Sequence, residues 1–327
     1  MDSLRQPEAQ EIICEARKTS QINAKARYSL CQEKSSTQLI NDSVELPKPG
    51  VCGSSQPSQR IVGGEETAIN EFPWMAQIEY TKLYILTGKK TFYKCIGIII
   101  NENYILTASY CLNNKILDRD QLKLTGVRLG EWNTTSNPDC DDGQCADPVQ
   151  DIRVVERIPH VDYNPDSESQ GNDIALLRLE RPITYTEWIK PICLPASSEV
   201  LNQNYARSKL ILSGWGKTER VGHFSNIKLK VNLDSVPIDR CSNMYSAYNV
   251  TLTNKQLCAG GEKGEDACEG DSGGPLMKLH KTDETHFHYY VVGVTSFGRN
   301  PCGRAGWPGV YTRVDRYIDW IKANIKP

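Results

Sequence analysis

From Ile61 onward the chain breaks into short apolar runs, "FPWMAQIEY", "IGIIINENYILTAS", "LKLTGVRLG", "DIALLRL" and "KLILSGWG", separated by Gly, Pro, Asn and Asp. Runs of this length between turn residues predict many short strands, hence an all-β sandwich or barrel. The pattern changes once, near the C-terminus. In "YTRVDRYIDWIKANI" the residues Val314, Tyr317, Ile318, Ile321 and Ile325 recur at helical spacing with charged residues between them. That predicts one helix packed by its apolar face on the body. Residues 1–60 are polar, contain "SSTQ" and "GSSQPSQR", and carry no sustained hydrophobic period. They predict an extended or partly ordered segment preceding a folded domain over 61–327.

With 327 residues and 39% hydrophobic content, the chain can fill a sizeable core. The formal net charge is −2, with no block of Lys and Arg, so composition points neither to nucleic acid nor to an anionic membrane. Twelve cysteines at dispersed positions, without repeated C-x-x-C pairs, indicate disulfides and an oxidising compartment. The acidic "NPDCDDGQCADP" reads as a surface insertion closed by a local Cys140–Cys145 bridge. Asn41, Asn133 and Asn249 each head an Asn-X-Ser/Thr triplet, as glycosylation in a secreted protein would require. The opening "MDSLRQPEAQEIICEARK" lacks the apolar core of a signal peptide, so the leader is expected to be missing here or export to be unconventional. No stretch approaches the roughly 20 apolar residues of a membrane-spanning helix.

In "CEGDSGGP", Cys268–Pro275, a serine stands between an aspartate and two glycines. Small residues let the backbone turn tightly, so that the amides of Gly270 and Ser272 can converge on a developing oxyanion. Together with "RIVGG", "NDIALLRL" and "GWGK" in that order, residues 61–327 resemble the chymotrypsin-like, trypsin-type serine endopeptidases. The resemblance implies two six-stranded Greek-key β-barrels with a C-terminal helix. It implies Ser272 as nucleophile, Asp173 as the buried carboxylate that orients the base, and Gly270 and Ser272 as oxyanion donors. Asp266 matches the base of a pocket for Lys or Arg, with Gly298 and Gly309 keeping its mouth open and Phe297 standing where many relatives have Trp. Cleavage between Arg60 and Ile61 would free an amino group to pair with Asp271. By the same analogy Cys95 pairs with Cys111, Cys241 with Cys258, Cys268 with Cys302 and Cys52 with Cys193, the last retaining the N-terminal segment after cleavage. Cys14 and Cys31 are left to pair with each other or with another chain.

"RLGEWN", the Cys140–Cys145 insertion, "CADP" and "IPHVDYNP" look most like the arthropod clip-domain proteases of clotting, melanisation and Toll cascades and their non-catalytic homologues. The six-cysteine clip module itself is not visible. No cofactor is required by such chemistry. A structural calcium near Glu131, helped by Asp139, Asp141 and Asp142, is weighed against a solvated acidic loop.

One position departs from the pattern. In "ILTASYC", Ile105–Cys111, the resemblance calls for a histidine and the chain has Tyr110. A phenol titrates near ~10 and an imidazole near ~6.5, so a tyrosine there leaves a serine without a base at neutral pH. His160, His223, His280, His286 and His288 lie in none of the motifs beside the serine and read as surface or structural. The expected protein is therefore a secreted, cleavable serine protease homologue that binds a cascade protease, zymogen or protein substrate and is cut by a trypsin-like activator. The alternatives are an active endopeptidase cleaving after Lys or Arg, with a substrate histidine or a Tyr-for-His sequence difference accounting for Tyr110, and a decayed gene product.

Overall fold

The computed structural model describes residues 45–55, 65–218, 223–264, 266–282 and 285–327. In chain order its strands are β1 (Glu65–Glu66), β2 (Met75–Tyr84), β3 (Gly88–Ile99), β4 (Tyr104–Thr107), β5 (Lys123–Leu129), β6 (Cys140–Asp141), β7 (Gln144–Cys145), β8 (Gln150–Pro159), β9 (Ala175–Leu179), β10 (Lys209–Gly214), β11 (Leu229–Val236), β12 (Gln256–Ala259), β13 (Pro275–Lys281), β14 (Phe287–Phe297) and β15 (Gly309–Arg313). Every apolar run read from the sequence contributes to one of them.

β2, β3, β4, β9, β8 and β5 close, in that order, into a barrel. β4 is followed in space by β9 rather than β5, the return connection of a Greek key. β4 and β9 are nearly continuous apolar runs because their residues are buried on both faces, and their register sets Ile105 opposite Leu177. The second sheet runs β1, β11, β10, β13, β14, β15, β12, and a further β11–β12 pairing closes six of these strands, leaving β1 on the outer edge of β11. Ile78, Ile98, Leu106 and Leu177 fill the first interior, and Leu210, Leu212, Leu257 and Val292 the second. Each such side chain contributes roughly 1.5–3 kcal/mol on leaving water.

The helix expected at the C-terminus is shorter than its pattern. Tyr311 to Arg313 belong to β15, where Tyr311 pairs with Leu257 and Thr295. A 3-10 turn follows over Val314–Arg316, and the α-helix itself spans Ile318–Asn324. All five apolar residues singled out are nevertheless buried. Among the described residues two other short α-helices carried no periodic signal: α1 (Asn114–Asp120), capped by the Asn113 side chain accepting from Lys115 N, and α2 (Ile238–Ser246), which buries Cys241 and Tyr245. The C-terminal helix is α3.

Among the described residues there are five disulfides, Cys52–Cys193, Cys95–Cys111, Cys140–Cys145, Cys241–Cys258 and Cys268–Cys302. Cys140–Cys145 closes the β6–β7 hairpin. Part of the polar N-terminal segment is built into the body: beside Cys52, Gly53 N donates to Pro191 O and Tyr289 N donates to Gly53 O, both at 2.9 Å. Cys14, Cys31, Asn41, Arg60 and Ile61 lie outside the described residues. Asn249 is exposed, whereas Asn133 is half-buried and its side chain accepts from Thr135, the threonine of its own triplet. Among the described residues no helix is long and apolar enough to cross a membrane.

Candidate active site

Ser272 sits in a turn clamped between the two barrels. Asp271 N donates to Cys268 O, Gly274 N to Asp271 O and Gly273 N to Thr295 O, while Ile96 N reaches across from the first barrel to Ser272 O at 2.9 Å. Gly273 has φ +81°, and a Cβ there would stand 2.2 Å from Thr107 Oγ1 and 2.4 Å from Ile96 O. Only glycine permits this approach. Among the described residues neither Gly270 N nor Ser272 N donates to a protein acceptor, so both remain available to an oxyanion.

Tyr110 follows β4 on a 3-10 turn, Ser109–Leu112, pinned by Ser109 Oγ donating to Ile174 O at 2.6 Å and by the Cys95–Cys111 bridge. Its side chain, 40% exposed, lines the same cleft as Ser272. Asp173 is buried behind it. Its Oδ1 accepts from Tyr110 N at 2.8 Å and its Oδ2 from Ser296 Oγ at 2.5 Å. Burial pushes the Asp173 carboxyl up to about 6, against the opposing pull of these donors. Among the described residues no side chain accepts from Ser272 Oγ.

None of the histidines lines the cleft. His160 is buried with its ring against Tyr317 and Trp320, and its Nδ1 accepts from Asp162 N. His288 Nε2 accepts from Gly50 N, His280 packs on Tyr290, and His223 is exposed. His286 lies at the start of β14, facing Thr282 and Thr285.

The cleft has a volume of about 530 Å³ and includes Asp266, Phe297, Gly298 and Gly309. Asp266 Oδ1 accepts from Ala267 N at 2.8 Å, and burial, with Asp271 adding to it, pushes its carboxyl up to about 7. A Cβ on Gly309 would come within 2.8 Å of Asp266 Oδ1, and one on Gly298 only within 3.8 Å of Oδ2. The sequence reading missed two members of this site. Ser296, in "TSFG", is the side-chain partner of Asp173, and Arg299, directly after Gly298, lies on the cleft wall. Adjacency to the pocket glycine was the one signal for Arg299.

Asp271 is buried, with Oδ1 accepting from Gly216 N at 2.9 Å and Oδ2 from Cys268 N at 3.0 Å. Burial pushes its carboxyl up to about 6, and among the described residues it has no cationic partner. Of the acidic residues weighed for calcium, Glu131 and Asp139 are buried together and Asp141 and Asp142 are exposed on the hairpin. Asp139 already accepts from Trp132 N, Asn133 N and Ser136 Oγ, and Glu131 Oε2 lies 3.6 Å from Arg128 Nη1. Glu131 Oε1 has no partner, and burial beside Asp139 raises its carboxyl to about 7. Both oxygens of Asp139 are thus engaged by protein donors, Glu131 Oε1 is not, and among the described residues no group of three His, Cys, Asp or Glu is assembled for a metal.

Comparison with known proteins bears on this geometry. The Trypsin family description matches residues 61–321. The chain is 48% identical over 286 residues to Serine protease ea of Drosophila melanogaster, covering 86% of this chain and 71% of that protein. It is 46% identical to Melanization protease 1 of the same organism, over 86% of this chain and 69% of that protein. It is 45% identical to CLIP domain-containing serine protease HP8 of Bombyx mori, over 86% and 73% respectively. The crystal structure of the Drosophila Grass clip serine protease of the Toll pathway superposes with a TM-score of 0.69 at 33% identity, covering 83% of this chain and 73% of that one.

Proposed function

Because this chain belongs to the trypsin family, among serine proteases of the arthropod clip type, we propose that it is a secreted, cleavable homologue that has lost peptidase turnover and acts by holding a protein partner in its cleft. The observation that carries this reading is the pair Tyr110 and Ser272: among the described residues no side chain accepts from the serine oxygen, and the residue at the base position is a phenol. A hydroxyl that cannot pass on its proton is a poor nucleophile.

The rest of the site supports binding. Asp266 offers a carboxylate with only backbone donors around it, which a Lys or Arg side chain would complete with charge-assisted hydrogen bonds. The free amides of Gly270 and Ser272 would take a peptide carbonyl. Among the described residues Asp271 is a buried carboxylate lacking a cation, the condition a newly freed amino group at Ile61 would relieve; cleavage would thereby order the loops around the pocket. The names of the similar proteins, Melanization protease 1, Spaetzle-processing enzyme and the Grass protease of the Toll pathway, support a partner among the proteases, zymogens or substrates of an extracellular cascade. The disulfides fit that compartment. No step requires a metal or cofactor.

The second reading, an active endopeptidase cleaving after Lys or Arg, is favoured by the intact Asp173, Ser272 and Asp266. Turnover of an Arg-containing peptide amide by protein cleaved at Arg60–Ile61, beside its Tyr110→His variant, separates the two. The variant is expected to be faster by at least about 10³-fold, since loss of the histidine alone costs roughly 10⁶ in another serine protease, of unrelated fold, and a residual of about 10³–10⁴ over water survives. Comparable activity of the natural protein overturns the proposal.

A further inference from the structure

We propose that Arg299 is an acid-recognition element of the cleft, so that the peptide held there carries an Asp or Glu within a few residues of the Lys or Arg received by Asp266. This rests on the reading of the cleft as a peptide site and narrows its ligand.

Arg299 is held as a flat, oriented cation. Its guanidinium carbon lies 3.7 Å from the centroid of the Tyr248 ring and 5.6 Å from that of Trp307. Those rings meet edge to face at 5.3 Å, and Trp307 is braced in turn by Tyr245 at 5.4 Å. A guanidinium already clamped in this way loses little freedom when its fork closes on a carboxylate. Yet Arg299 has no carboxylate partner among the described residues, and its Nε is buried without a hydrogen bond. Of the other acids on the cleft, Asp166 is paired with Lys115 at 2.6 Å and Glu269 with Lys217, while Glu168 is exposed to water. Asp266 and Arg299 thus line one cleft as opposite charges, paired neither with each other nor with any other described side chain. A purely basic peptide satisfies the first and is repelled by the second. A peptide bearing both signs satisfies both, and side chains along an extended chain spaced by about 3.3 Å per residue can reach from one to the other.

The test is fluorescence anisotropy with full-length protein cleaved at Arg60–Ile61 and dye-labelled peptides containing one Arg, with Glu or Gln placed in turn at each of three positions on either side. One Glu peptide is expected to bind about tenfold tighter than its Gln counterpart, as a charge-assisted pair implies. Arg299→Gln should abolish that preference, so that Glu and Gln peptides bind alike, Arg299→Lys should keep part of it, and Arg299→Glu should invert it toward a Lys-containing peptide. Such an inversion excludes a merely structural role for the aromatic clamp. If the natural protein binds Glu and Gln peptides equally, or the preference persists in Arg299→Gln, the inference is overturned while the pocket reading stands. If no Arg peptide binds at all, the pocket reading fails and the inference falls with it.

Discussion

The main-chain amide of Tyr110 donates to Oδ1 of Asp173 at 2.8 Å, so the buried carboxylate still grips the residue at the base position, but by its backbone alone. In the triad template the same carboxylate also holds an imidazole and stabilises its positive charge. Here its other oxygen is taken by Ser296, and among the described residues no cation faces it. It is a buried acid that destabilises the fold when ionised.

That acid makes Asp173→Asn an informative substitution. A carboxyl raised in the folded state contributes stability that is full below its unfolded value near ~4 and is lost as pH rises through about 6. At pH 7.5 the ionised group costs on the order of 2–3 kcal/mol. Asn can accept from Tyr110 N and donate to Ser296, so the variant is expected to melt several degrees higher than the natural protein at pH 7.5 and with no advantage at pH 4. In a Tyr110→His background the same change should cut turnover by about 10⁴. Thermal denaturation across pH and a peptide assay check the two halves.

Binding at Asp266 should depend on pH near neutrality. The empty pocket holds this carboxyl at about 7, and an Arg side chain binds its ionised form. The affinity for an Arg peptide is therefore expected to fall about tenfold between pH 8 and pH 6, and Asp266→Asn should remove both the affinity and its slope. Titration calorimetry at the two pH values reads this directly.

The two pocket glycines should respond differently to alanine. At Gly309 the new methyl meets Asp266 Oδ1 at 2.8 Å and the Tyr311 hydroxyl at 3.1 Å, so Gly309→Ala is expected to cost about 1–3 kcal/mol of stability as well as ligand binding. At Gly298 the nearest contact is 3.8 Å, and Gly298→Ala should leave stability within about 0.5 kcal/mol while obstructing the long side chain of an Arg ligand. Equal melting temperatures for the two variants would count against this account.

Cleavage at Arg60 should leave a two-chain protein joined through Cys52 and Cys193, which are bonded in the fold. On a non-reducing gel the cleaved natural protein is expected to run as one species, and a Cys52→Ser, Cys193→Ser double variant as two.

Much of the site was legible as linear sequence because this chemistry is carried by short contiguous motifs. "GDSGGP" needs its glycines where Ile96 and Thr107 press on the turn, and that demand is local enough to appear as a string. The C-terminal helix was overread because Tyr311, Thr312 and Arg313 continue its apolar and charged alternation while pairing with β12 and β14 instead; ladder hydrogen bonds from distant strands outweigh a weak local period. The acidic insertion is a surface hairpin closed by Cys140–Cys145, as read from the sequence, but its acidic residues divide in a way no local pattern shows: Asp139 folds inward onto three donors while Asp141 and Asp142 stay in water.

The amino-acid sequence alone therefore determined the strand-rich class, the motifs that carry the family resemblance and the departure from them at Tyr110, since residue identity and short spacing suffice for each, and through that resemblance it implied the cysteine framework. Only the tertiary structure decided that Ser296 completes the shell of Asp173, that no histidine comes round to the cleft, and that Arg299 stands clamped and without a counter-ion beside Asp266. Those are relations between residues up to more than a hundred positions apart, set by how two barrels close on each other, and no local pattern carries them.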